Sequence, residues 1–166
     1  MKKILALVAA ITIAFQVNAQ EGSTLPDTKI KDMNGKAVAF NTTVEKGKVT
    51  LISFWATWCI PCKKEIKNIR AKMADWKAET PEFSYMTVSV DDARAMAQVR
   101  SYAKSQGWDF PVYLDPNSDL KRSLNFQNVP FSIIVDKDGK VAYMQTGFEE
   151  GGEDVLYEKV KEIAGK

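Results

Sequence analysis

The stretch FWATWCIPCKKE, residues 54–65, holds both cysteines of the chain, Cys59 and Cys62, with Ile60 and Pro61 between them. Two thiols at this spacing suit a redox pair, half of a metal site, or a small structural ring. A tetrahedral zinc site needs two further ligands, and the sequence offers no third cysteine and no histidine. As a staple the pair is poor, because so short a ring constrains little of the unfolded chain. The lack of histidine also removes Ser-His and Cys-His nucleophile schemes. Thiol–disulfide exchange is the favoured chemistry: one thiolate attacks a disulfide sulfur, and the second thiol resolves the mixed disulfide.

That chemistry depends on what flanks the pair. KVTLISFW (48–55) is β-branched and apolar through its middle and reads as a buried central strand. After the cysteines, Ile66, Ile69, Met73 and Trp76 recur at helical spacing, and the helix should stop before Pro81. Cys59 is therefore expected at a helix entrance, where free N–H groups and the helix dipole favour a thiolate. Cys-x-x-Cys placement lowers the first thiol's pKa further, to about 3.5–7.5 in such motifs. Pro61 can occupy the first turn without losing a needed N–H.

The remaining elements alternate. Two short strands flank Asn34-Gly35 in 28–40, a hairpin signal. EFSYMTVSV (82–90) is a strand, and Asp91 and Asp92 offer an N-cap to a helix carrying Met96, Val99 and Tyr102 or Ala103, ended by Gly107. A short strand (111–115), a short helix (117–125), a buried strand (131–136), a tight turn with Asp138-Gly139 and a returning strand (141–147) follow. A last amphipathic helix places Leu156, Val160 and Ile163 on one face. The pattern predicts an α/β layer structure with a mixed sheet whose last two strands are antiparallel.

The chain start reads differently. Lys2 and Lys3 precede the apolar run ILALVAAITIAFQV (4–17), and VNA comes before Gln20. This is the order of a secretory signal, predicted over residues 1–19, with an uncleaved membrane anchor as the alternative. Residues 20–27 read as a leader and 28–166 as one domain. The net charge of +2 is carried by Lys2 and Lys3, so the remainder is neutral and gives no reason to expect nucleic acid as a partner. Export would place the cysteines in an oxidising compartment.

LISFWATWCIPCKKE resembles the thioredoxin-like family, specifically its exported TlpA/ResA-type thiol–disulfide oxidoreductases, and the order of elements matches from about residue 25 onward. The resemblance implies a thioredoxin fold with an N-terminal β-hairpin and a strand–helix insertion over roughly 82–115. It makes Cys59 the exposed nucleophile and Cys62 the more buried resolving thiol, and the redox-active Cys59–Cys62 disulfide the sole redox group, with no other cofactor and no metal. In QNVPFSIIVD it makes Pro130 a cis-proline facing the cysteines, leaving the main chain of Val129 free to pair with an extended substrate. Trp58, Ile60 and Pro61 are expected at the same contact surface, with Trp55 packed beneath it.

The sequence departs from the family at three places. Where thioredoxins carry a buried Asp, six residues before the first cysteine, this chain has Ser53. Glu65, three residues beyond Cys62, is then the candidate to deprotonate the resolving thiol; the competing reading is a solvated carboxylate among Lys63, Lys64 and Lys67. Lys67 stands where a helix-kinking proline is usual, which suggests a straighter helix. Phe131 follows Pro130 where a small hydroxyl residue is common, and it suits either the substrate groove or the core.

The expected function is therefore an exported, periplasmic reductant of protein disulfides. Its partners would be disulfide- or thiol-containing exported proteins, apocytochrome thiols among them, and a membrane electron donor that recharges it. An alternative from another class is a thioredoxin-fold binding module or Cu(I) carrier using the two thiolates.

Overall fold

A computed structural model describes residues 21–165; the expected signal segment lies outside the described residues. Its strands are β1 (Lys29–Lys31), β2 (Ala37–Ala39), β3 (Val49–Trp55), β4 (Phe83–Ser89), β5 (Val112–Leu114), β6 (Phe131–Val135) and β7 (Val141–Thr146). The helices are α1 (Ile60–Glu79), α2 (Met96–Ser105), α3 (Asp119–Ser123) and α4 (Gly152–Ala164). The strands form one mixed sheet in the order β2-β1-β5-β4-β3-β6-β7. β3 pairs parallel with β4 and antiparallel with β6, and β6 pairs antiparallel with β7, as the Asp138-Gly139 turn predicts.

All seven residues of β3 are buried because both faces of the sheet are covered. Leu51 and Trp55 face a core built with α1, α2 and α4, including Ile66, Ile69, Trp76, Val99 and Leu156. Ile52 and Phe54 face the opposite core, with Leu120 and Phe126 around α3. The period-two alternation of the strand thus feeds two separate cores.

β4, the first strand of the 82–115 stretch, lies at the centre of the sheet, and β5 carries the sheet outward to the N-terminal hairpin. The hairpin turn is organised by Asp32, whose Oδ1 accepts the amides of Asn34 and Lys36, each at 2.9 Å. Gly35 takes φ +87°, which a side chain would resist. α1 runs unbroken through Lys67, consistent with the loss of the proline there. The leader is more integrated than its sequence suggests. Thr24 bridges Lys140, the Gly22 and Val141 main chains are hydrogen-bonded, and Leu25 is buried in the second core.

One expectation needs correction, and one open choice is settled. Asp92 alone caps the helical region, accepting the amides of Arg94 and Ala95 into a 3-10 turn that leads to α2. Asp91 is buried and turned toward β3 instead. Phe131 belongs to the core: its ring stacks on Phe126 with centroids 4.3 Å apart.

Candidate functional site

β3 delivers the chain to one rim of the sheet and α1 starts there. Cys59 is the N-cap of α1, and its Sγ accepts the Cys62 amide at 3.3 Å. Cys59 and Cys62 are joined as a disulfide with Cα atoms 5.4 Å apart. Cys62 is fully buried and Cys59 is 4 % exposed. Cys59 is thus far from open to solvent, since its sulfur is turned into the first helical turn. Lys63 donates from Nζ to the Thr57 carbonyl at 2.8 Å and lies 5.2 Å from the centre of the Tyr102 ring, tying the loop before Cys59 to α2.

The same rim receives the start of β6, because Phe131 pairs with Phe54 near the end of β3. The Val129–Pro130 bond preceding it is cis. Val129 packs against the core cluster that contains both cysteines, and among the described residues its amide and carbonyl have no hydrogen-bond partner. Pro130 accepts the Gly147 amide at 2.7 Å, fixing the loop to the end of β7. Trp58 and Ile60 are 68 % and 76 % exposed, while Trp55 is buried against Tyr102 and Trp108. An exposed aromatic and an exposed aliphatic side chain thus flank Cys59 in sequence, followed by Pro61 in the first helical turn.

Beneath the disulfide runs a polar row. Ser53 pairs across the sheet with Ser132 on one side and Thr87 on the other. Glu65 descends onto this row from α1 and is 1 % exposed, which overturns the solvated-carboxylate reading. Its burial follows from its place on the stripe of α1 that includes Cys62, Ile66 and Ile69. Ser132 Oγ lies 3.2 Å from Glu65 Oε1 and 3.3 Å from Ser53 Oγ, so a chain of hydroxyls ends on the carboxylate. Among the described residues Glu65 Oε2 has no hydrogen-bond partner. Burial pushes the Glu65 carboxyl up to about 7, Ser132 lowers it, and the nearby Glu153 carboxylate raises it. Tyr85 borders the same row; burial holds its phenol neutral, Ser53 opposes this, and Glu65 adds to it.

One residue that positions the site was read from sequence only as a cap. The Asp91 carboxylate accepts the Thr57 amide at 2.8 Å, the Thr57 hydroxyl at 2.7 Å and the Ser89 hydroxyl at 2.8 Å. It pins the loop two residues before Cys59 to the end of β4. The signal lay in the Ser89-x-Asp91 spacing after a buried strand, where a serine can orient a carboxylate two residues on.

A strand–CxxC–helix unit opposite a cis-proline, with the sheet order described, defines a thioredoxin-like protein. Comparison with known proteins agrees. The Redoxin family matches residues 20–160, and the chain belongs to that family. It is 32% identical over 127 residues to the thiol-disulfide oxidoreductase ResA of Bacillus subtilis, covering 76% of this chain and 68% of that protein. Among solved structures it is similar to a thioredoxin-like protein from Porphyromonas gingivalis (39% identity, TM-score 0.75, 85% of this chain and 92% of that one). It is also similar to a thiol:disulfide interchange protein of the thioredoxin family from Chlorobium tepidum (25% identity, TM-score 0.68, 87% and 97%). The protein is a TlpA/ResA-type thioredoxin-like thiol–disulfide oxidoreductase.

Proposed function

We propose that this oxidoreductase works as an exported reductant of protein disulfides, with Cys59 as nucleophile, Cys62 as resolving thiol and Glu65 as the acid–base group for Cys62. The observation that carries this reading is the buried Glu65, three residues along α1 from Cys62, with its carboxyl raised to about 7. In the reduced enzyme the Cys59 thiolate attacks a substrate disulfide, forming a mixed disulfide and releasing one substrate thiolate. Glu65, ionised, takes the proton from Cys62. The Cys62 thiolate then attacks Cys59 Sγ, closing the enzyme disulfide and expelling the second substrate thiolate. Two electrons pass to the substrate, and the proton held by Glu65 leaves with solvent or product. A group titrating near neutrality suits both directions of this transfer.

The free main chain of Val129 beside Pro130 supports docking of an extended segment, and Trp58, Ile60 and Pro61 offer it apolar contact. Ile60 and Pro61 supply no imidazole to stabilise the Cys59 thiolate, which favours a low reduction potential. Residues 1–19 have the character of a secretory signal, and among the described residues no helix is long and apolar enough to cross a membrane. A reductant in an oxidising compartment requires a membrane electron donor to recharge it.

The test is a Cys62→Ala trap in the native host. Partners are expected to accumulate as mixed disulfides on Cys59, and a trap that recovers no exported protein overturns the substrate assignment. Equilibration with a glutathione buffer tests direction: a potential near about −120 mV, that of a strong oxidant, overturns the reductant reading.

A further inference from the structure

Glu65, which lies between α1 and the sheet, is one of the two buried glutamates among the described residues. The other is Glu153, in the first turn of α4. Its Oε1 receives Lys72 Nζ at 3.1 Å and Asn68 Nδ2 at 3.3 Å, while its buried Oε2 has no partner among the described residues. Lys72 is shared, since it also binds both carboxylate oxygens of the exposed Asp154, at 2.6 and 2.7 Å. Glu65, Asn68 and Lys72 recur along α1 at helical spacing and form one strip of its surface. Glu153 therefore caps the strip whose inner end is Glu65.

Two neighbouring buried carboxylates disfavour each other's ionised form. Their partners break the symmetry. Glu153 has an amide donor, a lysine and the amine end of its own helix; Glu65 has one serine hydroxyl. The polar row beneath Glu65 supplies no cation: Ser53 from β3, Tyr85 and Thr87 from β4, and Ser132 from β6. The neighbouring lysines of α1 are engaged elsewhere, Lys63 with Thr57 and Lys64 with Glu150.

We propose that Glu153, held ionised by Lys72 and Asn68, is a positioning residue that favours the protonated form of Glu65 and so sets the pH at which Glu65 can accept the Cys62 proton. The inference rests on the acid–base reading of Glu65 given above. Burial raises the Glu65 carboxyl most, the Ser132 contact lowers it, and the Glu153 carboxylate raises it.

The experiment is carbon-13 NMR of the glutamate side chains in the oxidised protein, where Cys62 carries no proton, with the Glu65 signal assigned by Glu65→Gln. Glu153→Gln keeps the shape and removes the charge, and the Glu65 midpoint is expected to fall by about one pH unit. Asp154→Asn removes an equal charge from the solvated neighbour, and the midpoint is expected to move by less than a third as much. Glu153→Asp retains the charge and should keep the midpoint high, which also serves if Glu153→Gln folds poorly. An unmoved midpoint in Glu153→Gln, or an equal shift in Asp154→Asn, overturns the proposal. The pH profile of Cys62 attack on a preformed mixed disulfide separates the two ideas. A titration shift that the rate profile does not follow upholds the coupling and removes Glu65 from the acid–base role.

Discussion

At the scale of single residues, Glu65 ties the chemistry of the site to the stability of the fold. Its folded-state carboxyl titrates near 7, against an ordinary value of 4.5, so the native state binds this proton more tightly than the unfolded chain does. The stabilisation is complete below the unfolded value and is lost as pH rises through the folded one. Urea unfolding of the oxidised protein should therefore show stability falling by about 3 kcal/mol between pH 4.5 and 7.5, and Glu65→Gln should flatten that slope. Parallel slopes in the two proteins would contradict the assignment. Trp58 makes the opposite kind of prediction, because it is exposed and supports little of the fold. Trp58→Ala should leave the melting temperature and turnover of a small disulfide unchanged while raising KM for a protein disulfide roughly tenfold, a contact worth about 1.4 kcal/mol. Glu65 also marks where sequence reading stops. A glutamate three residues beyond Cys62 is visible, but lysines on either side hide its burial, which depends on how α1 lies over Ser53 and Ser132.

At the scale of elements, the junctions carry the site. β3 was legible because its uninterrupted apolar run announces coverage on both faces, and the start of α1 was legible because Pro61 and the apolar spacing agree. The junction after β4 was only half legible. Asp91 and Asp92 look alike in sequence, yet one caps a helical turn and the other fastens the Cys59 loop. Paired substitutions separate them. Asp92→Ala should lower stability only modestly, as the loss of an exposed cap does, and leave the alkylation rate of reduced Cys59 unaltered. Asp91→Asn cannot accept from both the amide and hydroxyl of Thr57 together with Ser89, so it should cost about 1–3 kcal/mol and also change that rate. Equal alkylation rates in Asp91→Asn and wild type would reduce Asp91 to a purely structural role.

At the scale of the whole molecule, the mixed sheet brings together groups that lie far apart in sequence. The β3–α1 junction supplies the thiols, the entry to β6 supplies the cis-proline, and α4 supplies Glu153. The local motif was readable because it occupies one short stretch. The α1–α4 interface was not, since Asn68, Lys72 and Glu153 meet only after the sheet has placed the two helices side by side. The leader follows the same logic: EGSTLPD has no periodicity, but the turn between β6 and β7 gives it an edge to pair with. That pairing fixes geography. β6 runs away from the catalytic rim and β7 returns to it, so Lys140 and its partner Thr24 sit at the opposite pole. Glu21, the first described residue, therefore belongs to the back of the molecule, which leaves the disulfide-exchanging end unencumbered by the leader.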